Sequence, residues 1–291
     1  MKSDEILVTY WREESDELNF GENIAEAILN GFGYKLRTHE NALRMGEISK
    51  YDSCLLMVGT WVCQEILDKI KTKKLIVWGD GAGAEWSTPI KKRSLKKNSK
   101  LDIRAVRGPF SLRSLGLNPK TPVGDPGFLM PLFYPLRRGK YPGKIIYQPH
   151  WENRRNVNDK LANLGADKYL DIFIKKDQFL NRIEELISAK FVLTNSLHTA
   201  IILHAYNTPW ALCISENDKL NSPCKWRDVF EFLGIHTRIR FVENYEEGLE
   251  WWNEVGSKAK VPNLIPLIKA FPYPIKNRTV YDFITKIEDN Q

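Results

Sequence analysis

The apolar positions of this chain fall in short unbroken runs separated by amphipathic stretches. "EILVTY" (Glu5–Tyr10), "SCLLMVG" (Ser53–Gly59) and "KKLIVWG" (Lys73–Gly79) are blocks of strand length. Continuous runs of this kind mark strands covered on both faces. A polar loop after the first run leads through Gly21 into a predicted helix from about Asn23 to Leu29, and "DIRAVRGPFSLRSLG" predicts a short strand followed by a helix. The Pro-rich stretch "PLFYPLRRGKYPGK" interrupts the alternation, so the domain boundary is placed there, between 138 and 139. The pattern then restarts. "KIIYQPHWE", "KFVLTN" and "TPWALCIS" predict strands, and "KDQFLNRIEELISA", "SLHTAIILHAY", "WRDVFEFLG" and "YEEGLEWWNEV" predict helices. Strands alternating with helices give parallel sheets. The expected fold is α/β with two Rossmann-like doubly wound domains, residues 1–138 and 139–291, the last helix packing back on the first. Ligands are then expected at the strands' carboxyl ends and in the cleft between domains.

At 291 residues and 43% hydrophobic, the chain can bury a substantial core. The acid-bearing start "MKSDEILVTYWREESDE" does not fit a signal peptide, and no apolar run approaches the roughly 20 residues of a spanning helix. A cytoplasmic protein with at most peripheral membrane contact is expected. Cys54, Cys63, Cys213 and Cys224 have neither zinc-type nor disulfide-scaffold spacing and read as reduced thiols. The net charge of +7 includes the run Lys91–Lys100. That run fits a solvated loop or a weak contact with an anionic membrane surface. It lacks the interleaved aromatics of a nucleic-acid site. No His, Cys, Asp and Glu cluster has metal-ligand spacing, so activity without a tightly bound metal is expected.

His198 follows the strand "KFVLTN" directly and falls in the first turn of the next helix, where free amides and the helix dipole favour an anion. On residues alone, a histidine bonded to a neighbouring loop fits as well. His204 lies about 120° away around the helix, so the two do not share a face for a metal.

In order along the chain, "NFGEN", "WGDGAG", "AVRGPFSLRSLGL", "VGDPGFLMP", "YQPHW", "TNSLHTAIILHAYNTPW" and "KWRDVFEFLG" resemble the polysaccharide pyruvyl transferases, in particular the bacterial exopolysaccharide type. The resemblance runs from about Thr9 to Gly234. It implies a two-domain fold like that of the GT-B glycosyltransferases and phosphoenolpyruvate as donor. It also implies a pyruvate ketal formed on two hydroxyls of one sugar, typically in a lipid-linked oligosaccharide at the inner face of the membrane. Phosphoenolpyruvate is then a co-substrate, and no cofactor is expected.

The resemblance assigns His198 as general acid, a role imidazole suits because it titrates near neutrality. His150 is a phosphate contact or second acid/base group, or otherwise a loop histidine beside Trp151. Asp125 orients a hydroxyl or a histidine, or simply forms a turn. Arg107 and Arg113 are candidates for the donor's anionic groups, with a plain surface role favoured for Arg113. Ser196 stands where many members have arginine, and the phosphate is expected on Arg107 and the helix N-terminus. Gly79, Gly81 and Gly83 allow close backbone approach to a ligand. Asn19 and Glu22 are expected on the acceptor side, Glu22 standing where the family commonly has aspartate. A nucleotide-sugar glycosyltransferase of GT-B fold and a non-catalytic glycan-binding protein are the alternative readings.

Overall fold

The computed structural model describes residues 4–8, 17–38, 51–70, 72–83, 88–90, 95, 98–137, 139, 143–214, 222–236 and 239–288. Its strands, in chain order, are β1 (Glu5–Val8), β2 (Glu17–Asn19), β3 (Lys35–Thr38), β4 (Ser53–Leu56), β5 (Lys74–Asp80), β6 (Leu101–Val106), β7 (Ile145–Gln148), β8 (Lys168–Tyr169), β9 (Phe173–Lys175), β10 (Phe191–Thr194) and β11 (Trp210–Leu212). Two parallel sheets result, in the orders β3-β1-β4-β5-β6 and β11-β10-β7-β8. In each the chain winds outward from an inner strand in both directions. That leaves a crevice at the carboxyl ends where the direction switches, at β1/β4 and at β7/β10.

The unbroken apolar runs are explained by burial on both faces. Ile6, Val8, Leu55, Ile76 and Trp78 enter one core cluster. Leu7, Cys54, Leu56, Leu75 and Val77 enter a second cluster on the opposite face. The first cluster continues into the second sheet through Ile146, Val192, Leu193 and Trp210. The helix Phe20–Gly31 is buried almost along its whole length, through Phe20, Ile24, Ile28 and Leu29 among others.

A short antiparallel ribbon joins the two sheet regions. Leu18 of β2 pairs with Ile174 of β9, and Phe20 N donates to Ile172 O at 2.8 Å. This fixes where the helix begins, at Phe20 rather than near Asn23. Toward the C-terminus, Trp78 Nε1 donates to Leu267 O at 2.8 Å, and Phe271 stacks on Phe32 with centroids 4.1 Å apart. The segment carrying Leu267 and Phe271 therefore covers the first sheet.

Candidate active site

A cavity of ≈ 570 Å³ lies on the outer surface between helices Pro109–Leu115 and Pro223–Phe232, while a second of ≈ 520 Å³ opens where the strand ends of both sheets meet. The second is lined by the segments after β4 (Val58–Trp61), after β7 (His150–Glu152) and after β10 (Ser196–His198), with Asn19, Gly21 and Glu22 from the start of helix Phe20–Gly31. These segments follow the switch-point strands, where a doubly wound sheet leaves room for a ligand.

His198 sits in the first turn of helix Leu197–Ala205, with Ser196 as N-cap. Its ring abuts Gly21 at the start of helix Phe20–Gly31: a Cβ at Gly21 would collide with the imidazole. Gly21 in turn donates its N–H to Asn19 Oδ1 at 3.0 Å. Behind the ring, Nε2 faces Asp125 Oδ2 at 3.7 Å, an ion-pair distance but longer than a hydrogen bond. Neither atom has a hydrogen-bond partner among the described residues. Asp125 is fully buried, and its other oxygen caps the 3-10 turn Pro126–Leu129 by accepting from Gly127 N at 2.8 Å. That turn packs on both helix Phe20–Gly31 and helix Leu197–Ala205. Three separated sequence segments, at 19–22, 125–127 and 195–198, thereby converge on one imidazole.

Arg107 reaches the cavity from the end of β6, but its guanidinium is committed inside the protein. Nη1 donates to Gly59 O at 2.7 Å and to Thr60 Oγ1 at 3.1 Å, and Nη2 bridges to the buried Asp228 at 3.2 Å. Asp228 also accepts from Ser111 N at 2.8 Å and Ser111 Oγ at 2.5 Å. Beside this network Asp80 is fully buried and accepts from Trp61 N at 2.9 Å. Burial raises its pKa to about 7, against the Trp61 N–H and the Arg107 charge.

On the opposite wall, Asn195 Oδ1 accepts from His150 N at 2.6 Å and locks the loops after β7 and β10 together. Burial, then the nearby Lys225 and His198, lower the His150 pKa to about 2, so this imidazole is neutral at ordinary pH. It suits a hydrogen bond to a ligand better than carrying charge or taking up a proton. Trp151 stands at the mouth, 37% exposed.

The structure thus brings His198, His150, Arg107, Ser196, Asn19 and Glu22 to one cavity, with Asp125 directly behind His198. Arg113 is not among them. It lines the outer cavity, with a half-exposed side chain bound to Glu231 at 2.6 Å. The three glycines of "GDGAG" also stand apart, because protein occupies the space beside each: Pro126 at Gly79, the Arg107 guanidinium at Gly81 and Phe110 at Gly83. Gly79 and Gly83 have φ values of +84° and +82°, and their freedom serves the turn and its packing. Of the basic run, residues 91–94, 96 and 97 lie outside the described residues. Sequence reasoning missed Asp80, Trp61, Lys225 and Asp228. "WGDGAG" and "KWRDVFEFLG" carried three of them, but nothing local marks an aspartate in the middle of an amphipathic helix as a buried partner for Arg107.

A family model described as polysaccharide pyruvyl transferase matches residues 4–218. The chain is 27% identical over 223 residues to the succinoglycan biosynthesis protein ExoV of Rhizobium meliloti, covering 72% of this chain and 65% of that protein. It is 27% identical over 143 residues to an uncharacterised protein of Acanthamoeba polyphaga mimivirus, covering 46% of this chain and 49% of that one. The chain therefore spans under two thirds of the length of either relative. Among solved structures, a functionally uncharacterised protein from Klebsiella pneumoniae superposes with a TM-score of 0.50 at 14% identity, over 82% of this chain and 93% of that one. At that identity the likeness concerns the fold alone.

Proposed function

Since the chain belongs to the polysaccharide pyruvyl transferase family, we propose that it moves the pyruvyl group of phosphoenolpyruvate onto two hydroxyls of one sugar in a polysaccharide precursor, forming a ketal and releasing phosphate. The observation that carries this reading is His198 itself. It is a cavity-facing imidazole at a helix N-terminus, held between a glycine it cannot share space with and a buried carboxylate.

The chemistry asks for such a group. Protonation of the donor's methylene carbon leaves a cation-like centre at the carbon bearing carboxylate and phosphate. One sugar hydroxyl attacks there and loses its proton, the carbon–oxygen bond to phosphate breaks, and the second hydroxyl closes the ring with loss of its own proton. One proton enters, two leave, and the net proton departs on the phosphate, so no cofactor or redox partner is needed. His198 supplies the first proton. The Asp125 carboxylate, facing Nε2, fixes the ring's orientation. A proton taken up again from an attacking hydroxyl restores the acid. His150 and the first-turn amides of Leu197 and His198 contribute neutral hydrogen bonds to the donor's oxygens. Asn19, the N-cap of helix Phe20–Gly31, and Glu22 in its first turn hold the acceptor hydroxyls. The acceptor is a lipid-linked oligosaccharide presented at the inner face of the cell membrane. No helix of the described residues is long and apolar enough to cross a membrane, and the protein meets that surface peripherally.

Mixing the protein with phosphoenolpyruvate and a panel of hexosides, then following inorganic phosphate, tests the reading. Acceptor-dependent phosphate release is expected. Consumption of a nucleotide sugar with phosphoenolpyruvate untouched would replace this reading with a glycosyl transfer.

A further inference from the structure

Gln148 is the last residue of β7 and is fully buried. Its strand neighbours Ile146 and Tyr147 belong to the apolar core, so packing alone does not call for an amide there. A buried carboxamide destabilises the fold unless its polar atoms are paired. The two ends of this one serve different segments. Oε1 accepts from Thr199 Oγ1 at 2.8 Å, and Nε2 donates to Asp171 O at 3.3 Å. Because a backbone carbonyl can only accept, the amide nitrogen belongs on the Asp171 side, which fixes the orientation of the group.

Both arms lead to His198. Thr199 is the next residue along helix Leu197–Ala205. The backbone of Gln148 reaches the same turn from the other side, since Thr194 Oγ1 donates to Gln148 O at 2.6 Å and accepts from Ser196 N at 3.0 Å. Leu197 and His198 are therefore bracketed by ties to one residue, at Ser196 and at Thr199. The Asp171 arm leads to the other side of the imidazole. Ile172 O accepts from Phe20 N at 2.8 Å, Asp171 Oδ1 accepts from Phe173 N at 2.9 Å, and Phe173 is the register partner of Asn19. Residues 171–173 thus set the start of helix Phe20–Gly31, where Gly21 abuts the His198 ring. Thr194 and Thr199 are fully buried as well, so these bonds form away from water, where they hold geometry most firmly.

We propose that Gln148 is a positioning residue for His198: its carboxamide fixes the start of helix Leu197–Ala205 against the start of helix Phe20–Gly31 and so holds the imidazole at the donor. This rests on the reading of His198 as general acid in pyruvyl transfer. Proton transfer tolerates little misplacement, and a shift of about 1 Å can lower a rate by about 100-fold. Gln148 touches neither substrate nor the reacting atoms, and its whole effect passes through the ring it aligns.

The experiment is a double-mutant cycle on turnover, read as acceptor-dependent phosphate release from phosphoenolpyruvate by the full chain, with wild type, Gln148→Met, His198→Ala and the double variant. Methionine keeps the length of the side chain and removes both bonds. Gln148→Met should lower turnover by about 10- to 100-fold, with a much smaller change in the Michaelis constant for phosphoenolpyruvate. In the His198→Ala background the same substitution should lower turnover no further, because a residue that acts through the imidazole has nothing left to act on. Unchanged turnover in Gln148→Met, or the same fractional loss in both backgrounds, overturns the proposal while the general-acid reading stands. Should Gln148→Met fail to fold, Thr199→Val removes one bond alone and keeps the shape of the side chain, and its cycle with His198→Ala decides in the same way. If His198→Ala keeps wild-type turnover, the general-acid reading falls and the proposal with it. Absence of phosphate release by wild type overturns the pyruvyl-transfer reading on which both depend.

Discussion

His198, which faces the cavity, and the fully buried Asp80 have opposite tasks. If His198 is the general acid, His198→Ala removes an interaction made mainly in the transition state. Turnover should fall by about 10²- to 10⁴-fold while donor affinity changes little and the protein stays folded. Steady-state kinetics with a thermal melt separates this from unfolding. Asp80 acts through stability. Its folded-state pKa is raised to about 7 by burial, whereas the unfolded chain releases the proton near the ordinary aspartate value of 3.8. The folded state therefore holds an extra proton between these values. The stabilisation is complete below the lower pKa and is lost as pH rises through about 7. Asp80→Asn keeps the acceptor for Trp61 N but cannot ionise. Urea denaturation from pH 4 to 8 should show a flatter profile for the variant, with its advantage over wild type growing toward pH 8. Parallel profiles would mean that Asp80 is ionised throughout.

The site is assembled from the ends of elements. The start of helix Phe20–Gly31 meets the start of helix Leu197–Ala205 at Gly21 and His198, and the Pro126–Leu129 turn is wedged beside them. Gly21 is not among the positive-φ glycines, so its backbone tolerates alanine and only the imidazole objects. Gly21→Ala should displace the His198 ring, lowering turnover by about 100-fold. It should destabilise by about 1–3 kcal/mol, as overpacking does. Near-normal activity in this variant would show that the ring position does not matter. Much at this scale was legible in the sequence. The apolar runs gave β1, β4, β5, β7, β10 and β11, and the period of "SLHTAIILHAY" gave the helix Leu197–Ala205, because burial on both faces and helical periodicity leave direct traces. The β2/β9 ribbon left none. It consists of two three-residue strands more than 150 positions apart, and their pairing is set by tertiary packing. Missing it misplaced the start of helix Phe20–Gly31. The same limit hid Asp228, whose partner Arg107 lies 121 positions away, and the packing of Pro126, Arg107 and Phe110 against the glycines of "GDGAG".

Across the whole molecule, the Arg107–Asp228 pair ties the end of β6 to helix Pro223–Phe232, so a residue that borders the cavity also joins the two sheet regions. Removing one member of a buried pair leaves an uncompensated charge, and Arg107→Met should cost about 3–5 kcal/mol in urea denaturation. Lysine should not rescue it, since the fork reaches Gly59, Thr60 and Asp228 at once. The loss of activity in this variant should track unfolding, unlike that of His198→Ala. The most direct measurement of the central claim is made in deuterated water, with phosphoenolpyruvate, a sugar acceptor and either wild type or His198→Ala. Wild type should yield a ketal whose methyl group carries one solvent-derived deuterium, with one phosphate per ketal, and the variant should form the same product at least about 100-fold more slowly. A ketal formed at undiminished rate by His198→Ala, or no deuterium in its methyl group, would contradict protonation of the donor by this histidine.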